Sequence, residues 1–402
     1  MNFVIAVIGS GGDLYPLMAI AKTLKQQGHQ ITLLAGEWQK ETVESAGLNF
    51  QQILTTKQFK QFTDNAGKEA NAQARWMNFF YDLVIPAIKP VFDYVATHYV
   101  TKHGVDNNTL ADTCLLGSSH VIGFRLLQEK YAFKLLTTRL QPEPVQTEQT
   151  RAGQVYFERL LTPAINRQRQ DLGLGKLAEP FYQWLVHIDN GVAFFPSWFI
   201  HPATDAPEQG KMLDFLIFDP VEDTQSSPQL DIFLAKYELP VVFTHGTGNN
   251  NSETFFHNAV QTCKMLNQPA LLLCQSTQPI PADLPSYILH VNYLPFEQLL
   301  PYAGCMIHHG GIGTCAQVLR AGIPQIIVPV GFDQFQTADR VEQLGVGLRM
   351  DLETFSPEQG AHKLRKLMES GQVLSRCRQL KAHFNSEHTI DWICTQMVES
   401  IK

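Results

Sequence analysis

The sequence predicts an α/β protein of two domains, and three observations carry that reading. Residues 2–35 run strand, glycine turn, helix, strand. Residues 305–347 run strand, glycine loop, helix, strand, loop, helix. Between them lie residues 219–230, DPVEDTQSSPQL, polar, acidic and holding two prolines, which read as a linker. At 402 residues the chain is long enough for two domains, each with its own core.

The first strand, residues 2–8, is apolar and leads into Gly9-Ser10-Gly11-Gly12-Asp13. Leu17, Ile20, Ala21 and Leu24 then share one helix face. Gly28 ends that helix and residues 30–35 form the next strand, completing a β-α-β unit. Gly9-x-Gly11 and Glu37 partly imitate a dinucleotide fingerprint, but position 14 is Leu where a third glycine belongs, and Pro16 follows. Nicotinamide or flavin binding is therefore disfavoured. Asp13 stands either as a helix cap or as a carboxylate aimed at a ligand. A short helix at 41–46 and a strand at 49–53 follow, then polar residues 54–75. Residues 75–99 carry Trp76, Phe79, Phe80, Tyr81, Phe92 and Tyr94, interrupted by Pro86 and Pro90. They read as a core-facing helix, with a pocket for an apolar molecule as the sharper alternative. Strands are expected at 112–117 and 133–138, with a helix at 121–130 between them. Ser118, Ser119 and His120 stand at a strand's carboxyl end, where open α/β sheets bind ligands; a lone histidine there also has an ordinary structural reading. Helix at 156–171 and strands at 191–199 and 212–218 close the first domain.

Beyond the linker, residues 241–243 form a strand into Thr244-His245-Gly246-Thr247-Gly248, and a helix starts at Glu253. Strands are expected at 270–275 and 287–291. Residues 305–307 are a buried strand, followed by His308, His309, Gly310, Gly311 and Gly313. A helix starts near Thr314 and stops at Gly322 and Pro324. Residues 325–330 are the next strand, and Asp333-Gln334 opens another helix. Glycines at a strand-to-helix turn let amides approach a phosphate, and the helix N-terminus adds partial positive charge. His308 offers a further donor, and Asp333-Gln334 can hydrogen-bond a molecule with several hydroxyls.

The string His308-His309-Gly310-Gly311-x-Gly313-Thr314, then Ala321-Gly322-x-Pro324, then Asp333-Gln334, resembles the donor signature of inverting nucleotide-sugar glycosyltransferases. The resemblance implies the GT-B architecture, two facing doubly wound Rossmann-like domains with a cleft between them. It implies that His308 and the turn of Gly310, Gly311, Gly313 and Thr314 hold diphosphate, and that Asp333 and Gln334 hold the sugar. Gly9-Ser10-Gly11-Gly12-Asp13-Leu14-Tyr15-Pro16 resembles the Gly-Ser/Thr-x-Gly-Asp-x-x-Pro turn of the family's acceptor domain. Asp13 is then the base, with Ser10, Gly11, Gly12 and His120 on the acceptor side. Gly246 and Thr247 match a donor-side turn, and Tyr293-Leu294-Pro295 matches the turn where relatives stack the base. Phe296 stands where plant members have Gln. The implied domains are 1–218 for the acceptor and 231–388 for the donor, joined by 219–230, with a terminal helix at 389–401 returning to the first.

IGSGGDLYP, FFPSWF, VVFTHGT and FDQF resemble most the rhamnosyltransferases of rhamnolipid biosynthesis. Those enzymes move L-rhamnose from dTDP-rhamnose to a hydroxyl of a 3-hydroxyfatty acid dimer. His309 departs from them; HHGG is common in glucosyl-transferring members, which keeps UDP-glucose and macrolide, sterol or phenolic acceptors open. An epimerase of the same architecture and a non-catalytic nucleotide-sugar-binding module are the other readings.

A net charge of −7 argues against nucleic acid. The seven cysteines, odd in number and mostly in apolar runs, read as reduced thiols. No stretch reaches the roughly 18–20 apolar residues of a membrane span. The expectation is a cytoplasmic enzyme that takes a nucleotide-sugar donor and an apolar or lipid acceptor, with peripheral membrane contact open. With no Asp-x-Asp motif or His/Cys ligand cluster near the motifs, no metal and no cofactor are expected.

Overall fold

In the computed structural model of the chain, strand β1 (Asn2–Ala6) has no polar face: Phe3, Val4, Ile5 and Ala6 are all buried. Such a strand needs a packed layer on each side. Val4 and Ala6 join a core with Ile88, Val91, Ile122 and Phe124, from helices Ile85–Val95 and Ile122–Tyr131. Phe3 and Ile5 join another, with Leu17, Ile20 and Leu24 from helix Gly11–Gln26 and Ile393, Cys394 and Met397 from the C-terminal helix Ile390–Ser400. Residues 67–71, 102–109, 143–147, 188–189, 201–210, 218–227, 247–251, 275–279, 385–388 and 402 lie outside the described structure.

The other strands of this sheet are β2 (Gln30–Gly36), β3 (Asn49–Leu54), β4 (Thr113–Ser118), β5 (Lys134–Arg139), β6 (Gly191–Ala193) and β7 (Lys211–Met212). All pair in parallel, in the order β3-β2-β1-β4-β5-β6-β7. The order reverses direction between β1 and β4, where Ala6 lies opposite Gly117. Open α/β sheets bind ligands at the carboxyl ends of strands at such a reversal.

A second parallel sheet has the order β10-β9-β8-β11-β12-β13. Its strands are β8 (Val241–Thr244), β9 (Ala270–Leu273), β10 (Ile288–Val291), β11 (Cys305–His308), β12 (Gln325–Ile327) and β13 (Gly347–Arg349). Helices Ser252–Leu266 and Pro357–Met368 cover one face, and helices Pro228–Lys236 and Ile312–Ala321 contribute to the core of the other. The reversal here falls between β8 and β11. The chain folds as two compact units, Met1–Leu216 with Glu387–Lys402, and Ile217–Ser386. Each unit is built on one doubly wound sheet. No described helix is long and apolar enough to cross a membrane.

Some elements differ from the sequence reading. Polar residues 54–75 hold a helix, Thr56–Ala66, whose Phe59 and Phe62 pack against the first core. The apolar run 191–199 is a strand for only three residues, because Pro196 has no N–H for the ladder and a 3₁₀ turn, Ser197–Phe199, follows. Of the strand expected at 212–218 only Met212, the end of β7, is strand among the described residues; residue 218 lies outside them. The expected strand 325–330 ends at Ile327. Residues 228–230 of the expected linker already belong to helix Pro228–Lys236.

Candidate functional site

At the β1/β4 reversal, residues 9–13 turn from strand into helix. Ser10 is the N-cap, its Oγ accepting from Gly12 N at 3.3 Å. Asp13, three residues on, closes the box: its Oδ2 accepts from Ser10 N at 2.9 Å. Asp13 is therefore not the N-cap residue, and one carboxylate oxygen suffices for its capping bond. Gly9 has φ of +147°, and a Cβ there would sit 2.1 Å from Asp13 Oδ2, so only glycine lets the carboxylate lie against the turn. Burial raises the Asp13 pKa to about 6, outweighing the Ser10 hydrogen bonds that lower it. Gly11 faces the Tyr15 ring, while Gly12 is exposed and meets nothing closer than Ser10 Oγ.

His120 follows β4 at the same end of the sheet. Its ring lies in an aromatic cluster, stacked on Trp76 at 5.6 Å and edge-on to Phe79 at 5.4 Å and Phe80 at 5.7 Å. Burial lowers its pKa to about 4, which makes it a weak proton acceptor at neutral pH. Most of residues 75–99 serve the core, but Trp76 and Phe79 stay half-buried. The run is one helical path with π-helical segments at Phe80–Val84 and Ala96–Thr101; such widened turns are frequent at functional sites.

At the β8/β11 reversal, β11 leads through Gly310 and Gly311 into helix Ile312–Ala321, two residues earlier than the sequence suggested. Gly310 has φ of +94°, and a Cβ would meet Ile327 Cγ2 at 2.6 Å. Gly311 sits at the N-cap without a side-chain cap. The amides of Ile312, Gly313 and Thr314 then have no partner within the helix, the arrangement that receives an anion. Gly313 is exposed, with nothing within 4 Å of a would-be Cβ.

His308 corrects the sequence expectation. Its ring is fully buried; Nδ1 accepts from Gly310 N at 3.1 Å and Nε2 donates to Gln325 Oε1 at 2.8 Å. Both nitrogens are engaged, so the ring holds the turn and has no spare donor for a phosphate. Burial lowers its pKa to about 3, keeping it neutral. The neighbouring His309 places its ring where Gly246 and Gly311 leave room: Cβ atoms there would meet it at 2.9 and 2.6 Å. Its Nδ1 is buried without a hydrogen-bond partner among the described residues. Gly246, at φ of +78°, thus makes way for His309; Thr247 lies outside the described residues.

Asp333 takes the N-cap position of helix Gln334–Gln343, but its side chain makes no capping bond. Gln334 is partly committed, since its Oε1 accepts from Val330 N at 2.8 Å and Gly331 N at 3.2 Å. Only its NH₂ donors remain for a sugar. Phe332, just before the pair, has φ of +55°, a strained conformation for a bulky residue. Tyr293 is 40% exposed and presents a ring, whereas Leu294 is packed into the core and offers no side chain to a ligand. Two residues with clear structural parts, Gln39 and Gln325, carried no sequence signal. Among the described residues no cluster of three or more His, Cys, Asp or Glu side chains is placed to hold a metal.

Residues 3–105 match the glycosyltransferase family 28 N-terminal domain, and residues 270–399 match the erythromycin biosynthesis protein CIII-like C-terminal domain. The kitacinnamycin glycosyltransferase superposes with a TM-score of 0.77 over 100% of this chain and 99% of that one, at 16% identity. The chain has the fold of the GT-B glycosyltransferases. The O-mycaminosyltylonolide 6-deoxyallosyltransferase of Streptomyces fradiae is 25% identical to this chain, over 99% of it and 97% of its own length. The sterol 3-beta-glucosyltransferase of Vanderwaltozyma polyspora is also 25% identical over 97% of this chain, which spans 34% of that longer protein. A spinosyn rhamnosyltransferase solved with thymidine diphosphate has a TM-score of 0.69 at 17% identity, covering 99% of both chains.

Proposed function

We propose that this chain is a glycosyltransferase that moves a sugar, with inversion, from a nucleoside-diphosphate sugar to a hydroxyl of a small apolar acceptor. One observation carries the reading. A carboxylate with its pKa raised to about 6 stands at one sheet reversal, and a helix N-terminus opened by glycines stands at the other. Asp13 takes the acceptor proton as the hydroxyl oxygen bonds to the anomeric carbon. The bond from that carbon to the diphosphate oxygen breaks, and its electron pair leaves with the nucleoside diphosphate. The amides of Ile312, Gly313 and Thr314 and the helix dipole stabilise the charge that develops there. Asp333 and the Gln334 NH₂ group face the sugar, and Tyr293 stacks on the base. His308 acts by fixing Gly310. None of these roles calls on a metal or a resident cofactor.

The aromatic surroundings of His120 suit an apolar acceptor such as a 3-hydroxyfatty acid. For the donor, dTDP-L-rhamnose or another thymidine-linked deoxysugar is the first reading, supported by the deoxyallosyl-transferring relative and by the similarity to rhamnosyltransferases. The sterol glucosyltransferase relatives and the HHGG string favour the second, UDP-glucose with a sterol or macrolide acceptor. The test supplies dTDP-rhamnose and UDP-glucose in competition, each with hydroxyfatty acid, sterol, macrolide and phenol acceptors. Acceptor-dependent release of nucleoside diphosphate with an inverted anomeric product is expected. Donor turnover without any acceptor, or epimerised donor, would overturn the proposal.

A further inference from the structure

Gln39 lies 26 residues beyond Asp13 in sequence, on the turn that follows β2, and it is only 4% exposed. Its amide is used at both ends. Oε1 accepts from Gly36 N at 3.2 Å, while Nε2 donates to the carbonyls of Gly9 at 3.4 Å and Ser10 at 3.3 Å. Those two carbonyls flank the Ser10 amide that holds the Asp13 carboxylate. The turn carrying Gln39 is itself anchored. Glu37 Oε2 accepts from Thr56 N at 2.9 Å, and Trp38 folds over Gly36 and stacks on Phe59 at 4.2 Å.

We propose that Gln39 is a positioning residue for catalysis, bracing the residue 9–13 turn so that Asp13 presents its carboxylate in one place. The inference rests on the proposed role of Asp13 as base. Buried as it is, Gln39 does not touch substrate; it acts through the backbone of Gly9 and Ser10. The glycines at 9, 11 and 12 give that turn its shape but also its freedom, and a base displaced by about 1 Å can lose on the order of 10² in rate.

Two variants separate bracing from mere stability. Gln39→Glu keeps the acceptor for Gly36 N and removes both donors to the turn; Gln39→Met removes every hydrogen bond with little change of volume. Both are expected to lower kcat by about 10- to 100-fold, with nucleoside diphosphate affinity unchanged. The Asp13 carboxyl titration, followed by NMR, is expected to move from its parent value. In an Asp13→Asn background neither variant should cost anything further. Unchanged kcat in a folded Gln39 variant would overturn the proposal, as would the same fractional loss in both backgrounds. Should Asp13→Asn turn over normally, the catalytic reading of Asp13 falls alone, and the Asp13 titration still decides whether Gln39 braces the turn.

Discussion

The capping bond of Asp13 and its proposed role as base can be separated by one substitution. Asn at this position still accepts from Ser10 N through its own Oδ1, so the capping box closes as before. It cannot take a proton at neutral pH. Asp13→Asn is expected to lose about 10²–10⁴ in turnover, with nucleoside diphosphate affinity intact. In the parent, kcat/KM should fall as pH drops below about 6, the range in which the carboxylate protonates. Stability runs the other way. The folded pKa is raised above the ordinary value of 3.8, so this group favours folding fully below 3.8 and loses that contribution as pH rises through about 6. At pH 8 the Asn variant should thus melt at or above the parent temperature; near-normal turnover in it would leave Asp13 a structural residue only. His308 gives a second test at this scale. Because its ring is neutral and bonded on both nitrogens, nucleoside diphosphate affinity should show no His308 titration between pH 5 and 8. His308→Ala orphans the Gly310 amide and Gln325 Oε1, each costing about 1–3 kcal/mol, and calorimetry should find weaker diphosphate binding through the loosened turn. An affinity that rises with a pKa near 6.5 in the parent, and not in the Ala variant, would instead identify an imidazolium–phosphate pair.

Helix Thr56–Ala66 shows how an element remote in sequence shapes the aromatic cluster. Asp82, buried in the π-helical segment, accepts from Gln61 Nε2 at 2.8 Å and Asn65 Nδ2 at 3.0 Å. Those bonds fix the helix that carries Phe62, whose ring meets Phe79 edge-on at 6.0 Å, and Phe79 in turn faces His120. Asp82→Ala removes two bonds to a carboxylate, each worth about 1.5–3 kcal/mol. A lower melting temperature is expected, together with a raised KM for the apolar acceptor and an unchanged KM for the donor. Equal rises in both KM values would show that the cluster has no particular link to the acceptor. This element was barely legible in sequence. Its Phe59 and Phe62 are isolated among polar residues, and its partner Asp82 lies inside an apolar run where a carboxylate gives no hint of what it binds.

Over the whole molecule, legibility follows from how local each signal is. The two units at 2–36 and 305–343 could be read because apolar strands end at glycines and helices begin within a few residues of them. Gly9 and Gly310 mark turns whose backbone admits no side chain, so they stand out in the string itself. Gln39 and Gln325 could not be read, because their partners lie 30 and 17 residues away, and one polar residue in contact across such a gap leaves no pattern. The same argument explains why His308 looked like a ligand donor: its spacing to the glycines is visible, and the Gln325 that consumes its proton is not. Donor choice is least legible of all, since Tyr293 offers a flat ring to any base and Leu294 only core packing. It is nevertheless open to measurement without knowing the acceptor. A nucleotide that binds the folded chain alone stabilises it by roughly 2.7 kcal/mol at a hundred times its dissociation constant. At equal concentrations dTDP is expected to raise the melting temperature more than UDP, and Tyr293→Ala to shrink both shifts, since base stacking is worth about 1–3 kcal/mol by alanine substitution. A larger shift with UDP would move the assignment to the glucosyl-transferring reading. Shifts untouched by Tyr293→Ala would place the base away from that ring.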